Sequence, residues 1–508
     1  MMTKEKKYVI GCDIGTSGTK AVLADAGGNI VAKAYRPHGI ITLHSGWAEQ
    51  NPDVWLEAAL ETISEAAAAA DENEIACICI SALYGGTGAL CGENMEIVRP
   101  AIIWMDRRAE EESAFISDTI GEKAIYEETG NGIDSYFGYT KLLWVKNNEP
   151  DNWKKIRMIL PVHSYIVYRL TGKITADFCS AGNVGGIYDY NNHRWSEAMT
   201  ERLGISLELL PQTLQRPDEI AGSLNGEYAE KTGLPAGVPI CVGTVDCVSA
   251  MLSAAIIRNG DNAAVLGTSL NWGFIHQKKP ENPKLISMPY CTSPSDTSYT
   301  YGGASTAGAL PRWFMTNFTE GESAERYREI EDEILRSEMK PGADGLVILP
   351  YFMGERTPVW DENASGLILG LSLAHTKHHV FRAILESTAY ALRHIMESML
   401  SEQKPNRIIL VGGGSRSKIW QHIFADVTGI PVCTTAKEVE APLGDAFIAA
   451  KAAGMVKAYS QIEEWVVFNE PVMPNEENHR LYNGYFEIYR ELYPILKEKM
   501  KALKQLSK

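Results

Sequence analysis

The sequence predicts an α/β protein built from two domains. At 508 residues the chain is too long for a single hydrophobic core. Short apolar runs of strand length alternate with longer runs that have helical features. A loop of glycine and small hydroxyl residues occurs once in each half, after a predicted strand. We expect domains at residues 1–255 and 256–508, with a cleft between them as the usual place for ligands.

The composition is that of a folded globular protein, with 45% hydrophobic and 22% charged residues. The formal net charge of −16 disfavours binding to nucleic acid or to an anionic membrane surface, so we expect neither partner. No stretch approaches the roughly 18 consecutive apolar residues of a membrane span, and the start of the chain lacks the apolar core of a signal peptide. These features predict a soluble, cytoplasmic protein.

The first elements are strands followed by a helix. Three apolar runs predict strands joined by tight turns, at residues 8–12, 19–24 and 30–35. Asn51 and Pro52 predict the start of a helix, with Asn as the cap and Pro in the first turn, and the helix continues through residues 53–70. The apolar residues 75–81 have the length of a buried strand. This succession is typical of α/β layers.

The same alternation continues around and after the predicted boundary. A buried strand leads into Asp246, and the small residues 249–255 predict a closely packed helix. A second strand with a loop begins at Asn262. Later come an apolar run, a helix, a strand and long amphipathic helices, the first three at residues 345–351, 378–399 and 407–411.

The first candidate site is the loop between the first two predicted strands, where residues 13–20 have the sequence Asp-Ile-Gly-Thr-Ser-Gly-Thr-Lys. Glycine allows a tight turn in which backbone amides and the hydroxyls of Thr16, Ser17 and Thr19 converge on an anion, which suits a phosphate group. Asp13, at the end of the strand, can hold Mg²⁺ through water. A plain hairpin turn also uses glycine and threonine, so the motif alone leaves both interpretations open.

Two further loops have a similar character. Gly267 and Thr268 follow a strand at the start of the second domain and repeat the chemistry of the first loop, so the two loops suit a triphosphate held from both sides. A glycine run that includes Gly413 and Gly414 follows another strand, and its bare backbone can lie against a flat adenine and ribose. The spacings of the Walker A and dinucleotide-binding motifs are both missing from the first loop.

In their order and spacing these motifs resemble the FGGY family of carbohydrate kinases. The resemblance extends over nearly the whole chain, from Asp13 to about Ala450. It also includes the segments at residues 46–52, 99–108, 141–145, 243–246, 302–308, 349–358, 370–386 and 412–426. It implies a fold of two actin-like (ribonuclease H-like) ATPase domains that close over ATP and a sugar, with Mg²⁺ as the metal ion.

The resemblance also implies roles for individual residues. Asp246 matches the catalytic base of the family and Asp13 the magnesium-linked aspartate, and we expect both carboxylates to hold the ion. Nucleotide contacts are implied at Thr16, Ser17, Gly267, Thr268, Gly308, Arg312, Gly414 and Lys418, and sugar contacts at Trp104, Asp106 and Tyr136. A helix cap is the simpler interpretation of a single Asp at a strand-to-helix junction, so that alternative stands beside the catalytic one.

The sequence departs from the family directly after the strand at residues 75–81. Xylulokinases carry Gln-Met-His there and glycerol kinases Gln-Arg-Glu, whereas this chain has Leu83, Tyr84 and Gly85. A site that loses hydrogen-bonding groups rejects the ligands that depended on them, so the resemblance assigns neither D-xylulose nor glycerol. Tyr84 and Gly85 become candidate sugar contacts instead.

The expected function is ATP-dependent phosphorylation of a hydroxyl group of a small sugar or polyol. We favour a ketopentose, because several segments are most similar to xylulokinase-like members of the family. Another polyol, a hexulose or a sugar acid remains an alternative substrate, and a chaperone-like ATPase or a non-catalytic sugar sensor an alternative function. The presence of Asp13 and Asp246 argues against the sensor. Many members of the family are dimers, so a homodimer is one candidate assembly.

Overall fold

The computed structural model describes residues 6–277, 282–337, 339–399, 405–437 and 439–506. These residues divide into two compact units. The first unit comprises the described residues of Met1–Asn259, Ile275–Thr300 and Val439–Val467, and the second those of Gly260–Phe274, Tyr301–Glu438 and Phe468–Lys508. The first unit thus takes in two segments that lie after residue 256 in the chain.

The strands are short outside the two main sheets. They are β1 (Tyr8–Ile14), β2 (Gly18–Asp25), β3 (Ile30–Pro37), β4 (Glu49–Gln50), β5 (Ile75–Ala82), β6 (Ala89–Cys91), β7 (Ala101–Ile102), β8 (Met158–Leu160), β9 (Ala176–Asp177), β10 (Tyr188–Asp189), β11 (Arg194–Trp195), β12 (Leu214–Gln215), β13 (Ile220–Ser223), β14 (Pro239–Cys241), β15 (Thr244–Val245), β16 (Asn262–Leu266), β17 (Leu270–His276), β18 (Ile286–Pro289), β19 (Ser298–Ala304), β20 (Val347–Leu349), β21 (Leu367–Leu369), β22 (Ile408–Val411) and β23 (Val432–Thr434).

The helices range from single turns to one long terminal helix. They are α1 (Pro52–Ala67), α2 (Glu110–Thr119), α3 (Glu122–Thr129), α4 (Gly138–Asn148), α5 (Pro150–Trp153), α6 (Val162–Thr171), α7 (Phe178–Asn183), α8 (Glu197–Leu203), α9 (Gly226–Thr232), α10 (Asp246–Ser253), α11 (Ala309–Phe318), α12 (Ala324–Arg336), α13 (Lys377–Met399), α14 (Lys418–Thr428), α15 (Ala441–Ala452), α16 (Ile462–Trp465) and α17 (Glu476–Leu506). Over the described residues, none is both long and apolar enough to cross a lipid bilayer.

The first unit is built on a mixed sheet with the strand order β13-β14-β5-β1-β2-β3, in which β15 also pairs with β5. The strands β1, β2 and β3 form an antiparallel meander, as the first three apolar runs of the sequence predict. The strands β1, β14 and β15 all run parallel to β5. Parallel neighbours end at the same edge of the sheet, so the residues that follow β1, β5 and β15 are brought together there.

Two helices cover opposite faces of this sheet. The thiol of Cys12 lies 4.0 Å from the hydroxyl of Thr62 on α1, so this residue faces α1. The neighbouring Gly11 faces α15, since a Cβ atom added to it would lie 2.0 Å from the carbonyl oxygen of Pro442. Successive residues of a strand point to opposite faces, which places α1 and α15 on the two sides.

The start of α1 confirms the predicted capping signal. The side chain of Asn51 accepts a hydrogen bond from the backbone N–H of Asp53, and Pro52 is the first helical residue, where a missing N–H costs nothing. Trp55 is fully buried on the face that packs against the sheet, and its indole N–H donates to Gln50.

The second unit contains a sheet in which β16 pairs antiparallel with β17 and parallel with β22, which in turn pairs parallel with β23. The long helices α13, α14 and α17 pack into its core with Trp272 of β17, a fully buried residue. The indole N–H of Trp420 on α14 donates to the carbonyl of Leu385 on α13, 3.0 Å away, so these two helices are joined by a buried polar contact as well as by apolar packing.

We predict that Gly11→Ala strongly destabilises the first unit. The added Cβ would lie 2.0 Å from the oxygen of Pro442 and 2.4 Å from the nitrogen of Ala446, and both are backbone atoms of a packed helix that cannot move aside cheaply. We expect a loss of about 3 kcal/mol in the free energy of unfolding, measured by urea denaturation. Gly226→Ala is the control, because nothing lies within 4 Å of its added Cβ. Equal stability of the two variants would contradict the packing described for α15.

Candidate functional site

The register of the first sheet brings acidic residues to one edge. Asp13 lies opposite Ser81 of β5, and Thr244 of β15 lies beside Ser81 on its other side. Asp246 follows β15 directly as the first residue of α10. Asp13 and Asp246 are far apart in sequence, but their backbones are positioned by strands that share β5 as a common neighbour.

Asp246 is available to accept a proton. It is half-buried, and its Oδ1 atom accepts a hydrogen bond from the backbone N–H of Cys247 at 2.6 Å. Among the described residues this is the one hydrogen bond made by its carboxylate. The N-cap position of α10 belongs to Val245, which has no side-chain capping bond, so helix capping does not account for the Asp at this junction.

The carboxylates repel one another. Burial raises the pKa of Asp13 above its usual range, and the nearby charge of Asp246 raises it further. Burial also raises the pKa of Asp246, although the hydrogen bond from Cys247 opposes this. A divalent cation between these groups would relieve the repulsion. Mg²⁺ is commonly held by one or two carboxylates together with water and substrate phosphates, so Asp13 and Asp246 are suitable ligands.

A third acidic residue, Asp445 on α15, lies in the same cluster and was missed by the sequence reasoning. It is fully buried, and it accepts hydrogen bonds from the hydroxyls of Ser81, at 2.8 Å, and Ser249, at 2.5 Å. The Ser81 hydroxyl also lies 3.2 Å from Asp13 Oδ1 and therefore links the two acids. Burial, and next the charge of Asp13, raise the pKa of Asp445 well above its usual range.

The sequence did contain a signal for this residue. Asp445 is the one charged residue in the otherwise apolar run at residues 441–450, which lies within a helix that is buried almost throughout. An acid in such a position is rarely retained without a partner. The partners are 364 and 196 residues away in the chain, so the pairing itself could not be deduced from spacing.

The first loop is a tight turn with its residues at different depths. The amide of Gly15 donates to the carbonyl of Gly18 at 3.0 Å, and Ser17 at the tip is exposed. The hydroxyl of Thr16 accepts a hydrogen bond from the indole N–H of Trp104 at 3.0 Å. Thr19 is fully buried, and its hydroxyl lies 3.4 Å from His38 Nε2, so this side chain is engaged in the interior behind the loop. The predicted phosphate contacts of all three hydroxyls stay predictions.

A basic residue lies beside the acidic cluster. Lys20 lies opposite Asp13 in the hairpin, and its Nζ forms an ion pair with Glu440 at 2.6 Å. Both side chains are more than a third exposed, so the pair contributes little to stability. Its position next to Asp13 makes it a positive charge at the rim of the cluster, where it partly offsets the repulsion that raises the pKa of Asp13.

Three of the predicted sugar contacts lie together. The rings of Trp104 and Tyr136 are 6.4 Å apart. Gly85 has a positive φ of 82°, and a Cβ atom there would lie 2.9 Å from the Tyr136 ring, so glycine is required for this close approach. Tyr84 is buried next to Gly85, and burial raises the pKa of its hydroxyl, with a smaller effect from the charge of Asp177.

Asp106, also predicted to contact the sugar, is engaged within the protein. Its carboxylate is fully buried. Oδ2 accepts a hydrogen bond from the backbone N–H of Ala48 at 2.5 Å and forms an ion pair with the guanidinium of Arg108 at 2.7 Å. Oδ1 accepts a hydrogen bond from the backbone N–H of Arg108. The Arg108 guanidinium stacks 3.7 Å from the centre of the Trp47 ring. Asp106 therefore orders this segment, and its contact with a sugar stays a prediction.

In the second unit, two of the predicted nucleotide loops adjoin each other. The turn between β16 and β17 is closed by a hydrogen bond from the amide of Gly267 to the carbonyl of Ser269 at 3.1 Å. The amide of Gly308 donates to the carbonyl of Gly267 at 2.9 Å, and Gly308 is the N-cap residue of α11 without any side-chain cap. The exposed Gly267 and Thr268 thus lie beside the start of α11, where the amides of Gly308 and Ala309 are already bonded to this turn.

The glycine run joins the same region of the second unit. A Cβ atom on Gly414 would lie 2.8 Å from the Trp420 ring and 3.0 Å from Leu266, so this residue packs beside the end of β16. Gly413 is exposed with open space around it. Lys418 is the exposed first residue of α14.

Arg312 is the remaining predicted nucleotide contact. It lies in the first turn of α11, mostly exposed, and its Nε forms an ion pair with Glu322 at 3.3 Å. Gly308 is therefore bonded to Gly267, and Gly414 packs against Leu266, the residue before Gly267. Arg312 and Lys418 lie at the starts of the two adjoining helices, α11 and α14. Their contacts with a nucleotide stay predictions.

Comparisons with known proteins cover both units. The sequence model of the N-terminal domain of the FGGY family of carbohydrate kinases matches residues 8–253, and that of the C-terminal domain matches residues 262–453. The xylulose kinase of Bacillus subtilis (strain 168) is 28% identical over 506 residues, which cover 99% of this chain and 100% of the relative. The gluconokinase of the same organism is 26% identical over 497 residues, 96% of each chain.

The similarity extends to solved structures. The ligand-bound xylulose kinase from Lactobacillus acidophilus superimposes with a TM-score of 0.90 at 26% sequence identity. The match covers 97% of this chain and 98% of that chain.

We predict that Asp445→Asn and Asp445→Ala differ sharply in stability. The pKa of Asp445 is raised well above its usual range by burial, which favours the protonated acid, so an amide of the same shape should be tolerated. Alanine would leave the buried hydroxyls of Ser81 and Ser249 without this partner and cost about 3 kcal/mol. Urea denaturation at pH 7 followed by tryptophan fluorescence measures both. An Asn variant as unstable as the Ala variant would mean that Asp445 is ionised in the folded protein.

Proposed function

The chain belongs to the FGGY family of carbohydrate kinases and is a sugar kinase, and we propose that it transfers the γ-phosphoryl group of Mg-ATP to a hydroxyl group of a ketopentose. The resemblance recognised in the sequence and the predicted fold of two actin-like domains are both confirmed. The observation that carries the proposed mechanism is the position of Asp246, a half-buried acid beside Asp13 with a carboxylate oxygen free of hydrogen bonds to the described residues.

Asp246 is proposed as the general base. Phosphoryl transfer needs little covalent help from the protein, and catalysis comes mainly from positioning and charge neutralisation. As the substrate hydroxyl attacks the γ-phosphorus, its proton passes to the Asp246 carboxylate. The hydrogen bond from Cys247 fixes one oxygen of that carboxylate and leaves the other to receive the proton.

Asp13 and Asp246 are proposed to hold Mg²⁺. When bound, the ion neutralises charge on the phosphate groups and relieves the repulsion between the two carboxylates. Asp13 is oriented for this by the hydroxyl of Ser81, which is itself fixed by the buried Asp445.

The loops of the second unit are proposed to bind the nucleotide. The exposed turn at Gly267 and Thr268 allows phosphate oxygens to approach the backbone and the Thr268 hydroxyl, and the exposed Gly413 leaves room for a flat base to approach the backbone. Thr268, Arg312, Gly414 and Lys418 lie in the same loops and at the starts of the adjoining helices, which supports their proposed part in binding.

A ketopentose is favoured as the acceptor because the xylulose kinase of Bacillus subtilis is slightly more similar to the chain than the gluconokinase of the same organism, at 28% against 26% identity. A sugar acid is the second candidate. The residues Leu83, Tyr84 and Gly85 provide no cationic side chain that would pair with the carboxylate of such a substrate. Tyr84 instead offers a hydroxyl and an aromatic face, which suit a neutral sugar.

We predict that Asp246→Asn lowers kcat by about 10²- to 10⁴-fold, because the amide keeps the shape of the side chain but cannot accept the proton. The measurement is ADP release with Mg-ATP across a panel of ketopentoses, tetritols, hexuloses and aldonic acids. The KM for Mg-ATP should rise far less than kcat falls, since the proposed nucleotide contacts lie on other residues and Asp13 remains to hold the ion. A variant that retains full kcat on the best substrate would exclude Asp246 as the base.

The same panel decides the acceptor. We expect the highest kcat/KM with a ketopentose. Turnover with an aldonic acid alone would leave the sugar kinase assignment intact and overturn the ketopentose proposal. ATP binding without turnover on any member would favour a sensor.

A second prediction concerns the nucleotide loops. In Gly308→Ala the added Cβ would lie 2.6 Å from the carbonyl oxygen of Gly267 and force the two loops apart. We expect the KM for ATP to rise at least about tenfold, equivalent to roughly 1.4 kcal/mol, with the KM for sugar little changed. Gly484→Ala on α17, with nothing within 4 Å of its added Cβ, is the control and should bind ATP normally. Unchanged ATP affinity in Gly308→Ala would argue against a nucleotide site where the Gly267 turn meets Gly308.

A further inference from the structure

A buried lysine lies behind the predicted sugar contacts of the first unit. Lys141 is the fourth residue of α4 and is fully buried. Its ammonium nitrogen, Nζ, lies within hydrogen-bond distance of four backbone carbonyl oxygens, those of Gly85 at 3.1 Å, Trp104 at 3.4 Å, Ser135 at 2.6 Å and Tyr136 at 2.5 Å. A single cationic group is thus surrounded by carbonyls from several parts of the chain.

These carbonyls belong to three separate segments, and each segment contributes a predicted sugar contact. Gly85 follows β5, Trp104 follows β7, and Tyr136 precedes α4. The three residues also pack against one another, since a Cβ atom on Gly85 would lie 2.9 Å from the Tyr136 ring and 3.2 Å from Trp104 Cβ. Lys141 adds the one described polar group that bonds to the backbone of all three. One nitrogen atom thus ties the backbone of Gly85, Trp104 and Tyr136 at the place where their side chains and backbone form a common surface.

Retaining a charged lysine here is unfavourable for the fold alone. Burial lowers the pKa of Lys141 to about 7, the charges of Asp106 and Asp134 oppose that shift, and those of Arg107 and Arg108 add to it. Among the described residues no carboxylate forms an ion pair with Lys141. A cation in the first turn of a helix also opposes the helix dipole. An apolar side chain of similar length would avoid both costs, but would leave converging carbonyls without a donor.

We propose that Lys141 is a positioning residue that sets the geometry of the sugar subsite by holding the backbone of Gly85, Trp104 and Tyr136 together. The inference rests on the proposed function, because it concerns the acceptor side of the same reaction. Lys141 does not touch the substrate. It acts through the carbonyls, which fix where the Trp104 indole and the Tyr136 ring stand relative to each other.

The test compares Lys141→Met with wild type by steady-state kinetics, using the sugar that the panel above identifies. Methionine has nearly the same length but no donor, so the three segments lose their common link. We expect the KM for sugar to rise at least tenfold while the KM for ATP stays within twofold. Lys141→Arg, which keeps the charge but carries a larger planar group, should give an intermediate KM for sugar.

Leu142→Ala is the matched control for a general loss of stability. Leu142 is a fully buried neighbour on the same helix, so its truncation weakens the same region without removing the link between the carbonyls. Its KM for sugar should stay within twofold of wild type. If Lys141→Met does not yield folded protein, Lys141→Gln, which keeps two N–H donors, replaces it with an expected rise of at least threefold.

The outcomes separate this inference from the proposed function. An active wild type together with an unchanged KM for sugar in Lys141→Met would overturn the positioning role and leave the kinase proposal standing. An equal rise of KM for sugar in Leu142→Ala would also overturn it, because the effect would then follow stability. A wild type that phosphorylates no sugar would overturn the proposed function, and the positioning role with it.

Discussion

The crowding of three acids, Asp13, Asp246 and Asp445, at one edge of a sheet is the constraint around which the first unit is organised. Like charges in a partly buried place are costly, and they are tolerated only if some are neutralised or tightly solvated by the protein. Here the hydroxyls of Ser81 and Ser249 donate hydrogen bonds to the fully buried Asp445, and burial favours the protonated form of this acid. Asp13 and Asp246 keep their repulsion, which a cation bound at this edge would relieve.

Under the proposed function the second unit binds the opposite sign of charge, the phosphate groups of the nucleotide. Its candidate loops present backbone amides and glycines, and the charged side chains near them, Arg312 and Lys418, lie exposed at the edges. Backbone N–H groups carry partial charge without a net charge and need little rearrangement to meet an anion. Under the proposed function the two units divide the chemistry, with proton and metal binding on carboxylates of the first unit and phosphate binding on glycine-containing loops of the second.

The parts of this arrangement that depend on local sequence could be predicted. The strands of the first meander, the cap of α1 by Asn51 and the loops around Asp13 and Gly267 all follow from patterns within about twenty residues, and the family resemblance extends them to a fold. What the sequence did not reveal are pairings across long distances and contacts with backbone atoms. Asp445 accepts a hydrogen bond from Ser81 although its helix comes late in the chain. Lys141 donates to backbone carbonyls, which every residue has, so no residue type in the sequence marks these partners.

The return of α15 to the first unit has a consequence for how the protein is made. At roughly 5–20 residues per second, the ribosome needs on the order of 20 to 70 s to add the 364 residues that separate Ser81 from Asp445. During that time the sheet of the first unit can pair its strands and receive α1, but its other face waits for a helix that has not been synthesised. The face of β1 that α15 covers in the folded protein therefore stays without this helix for most of translation.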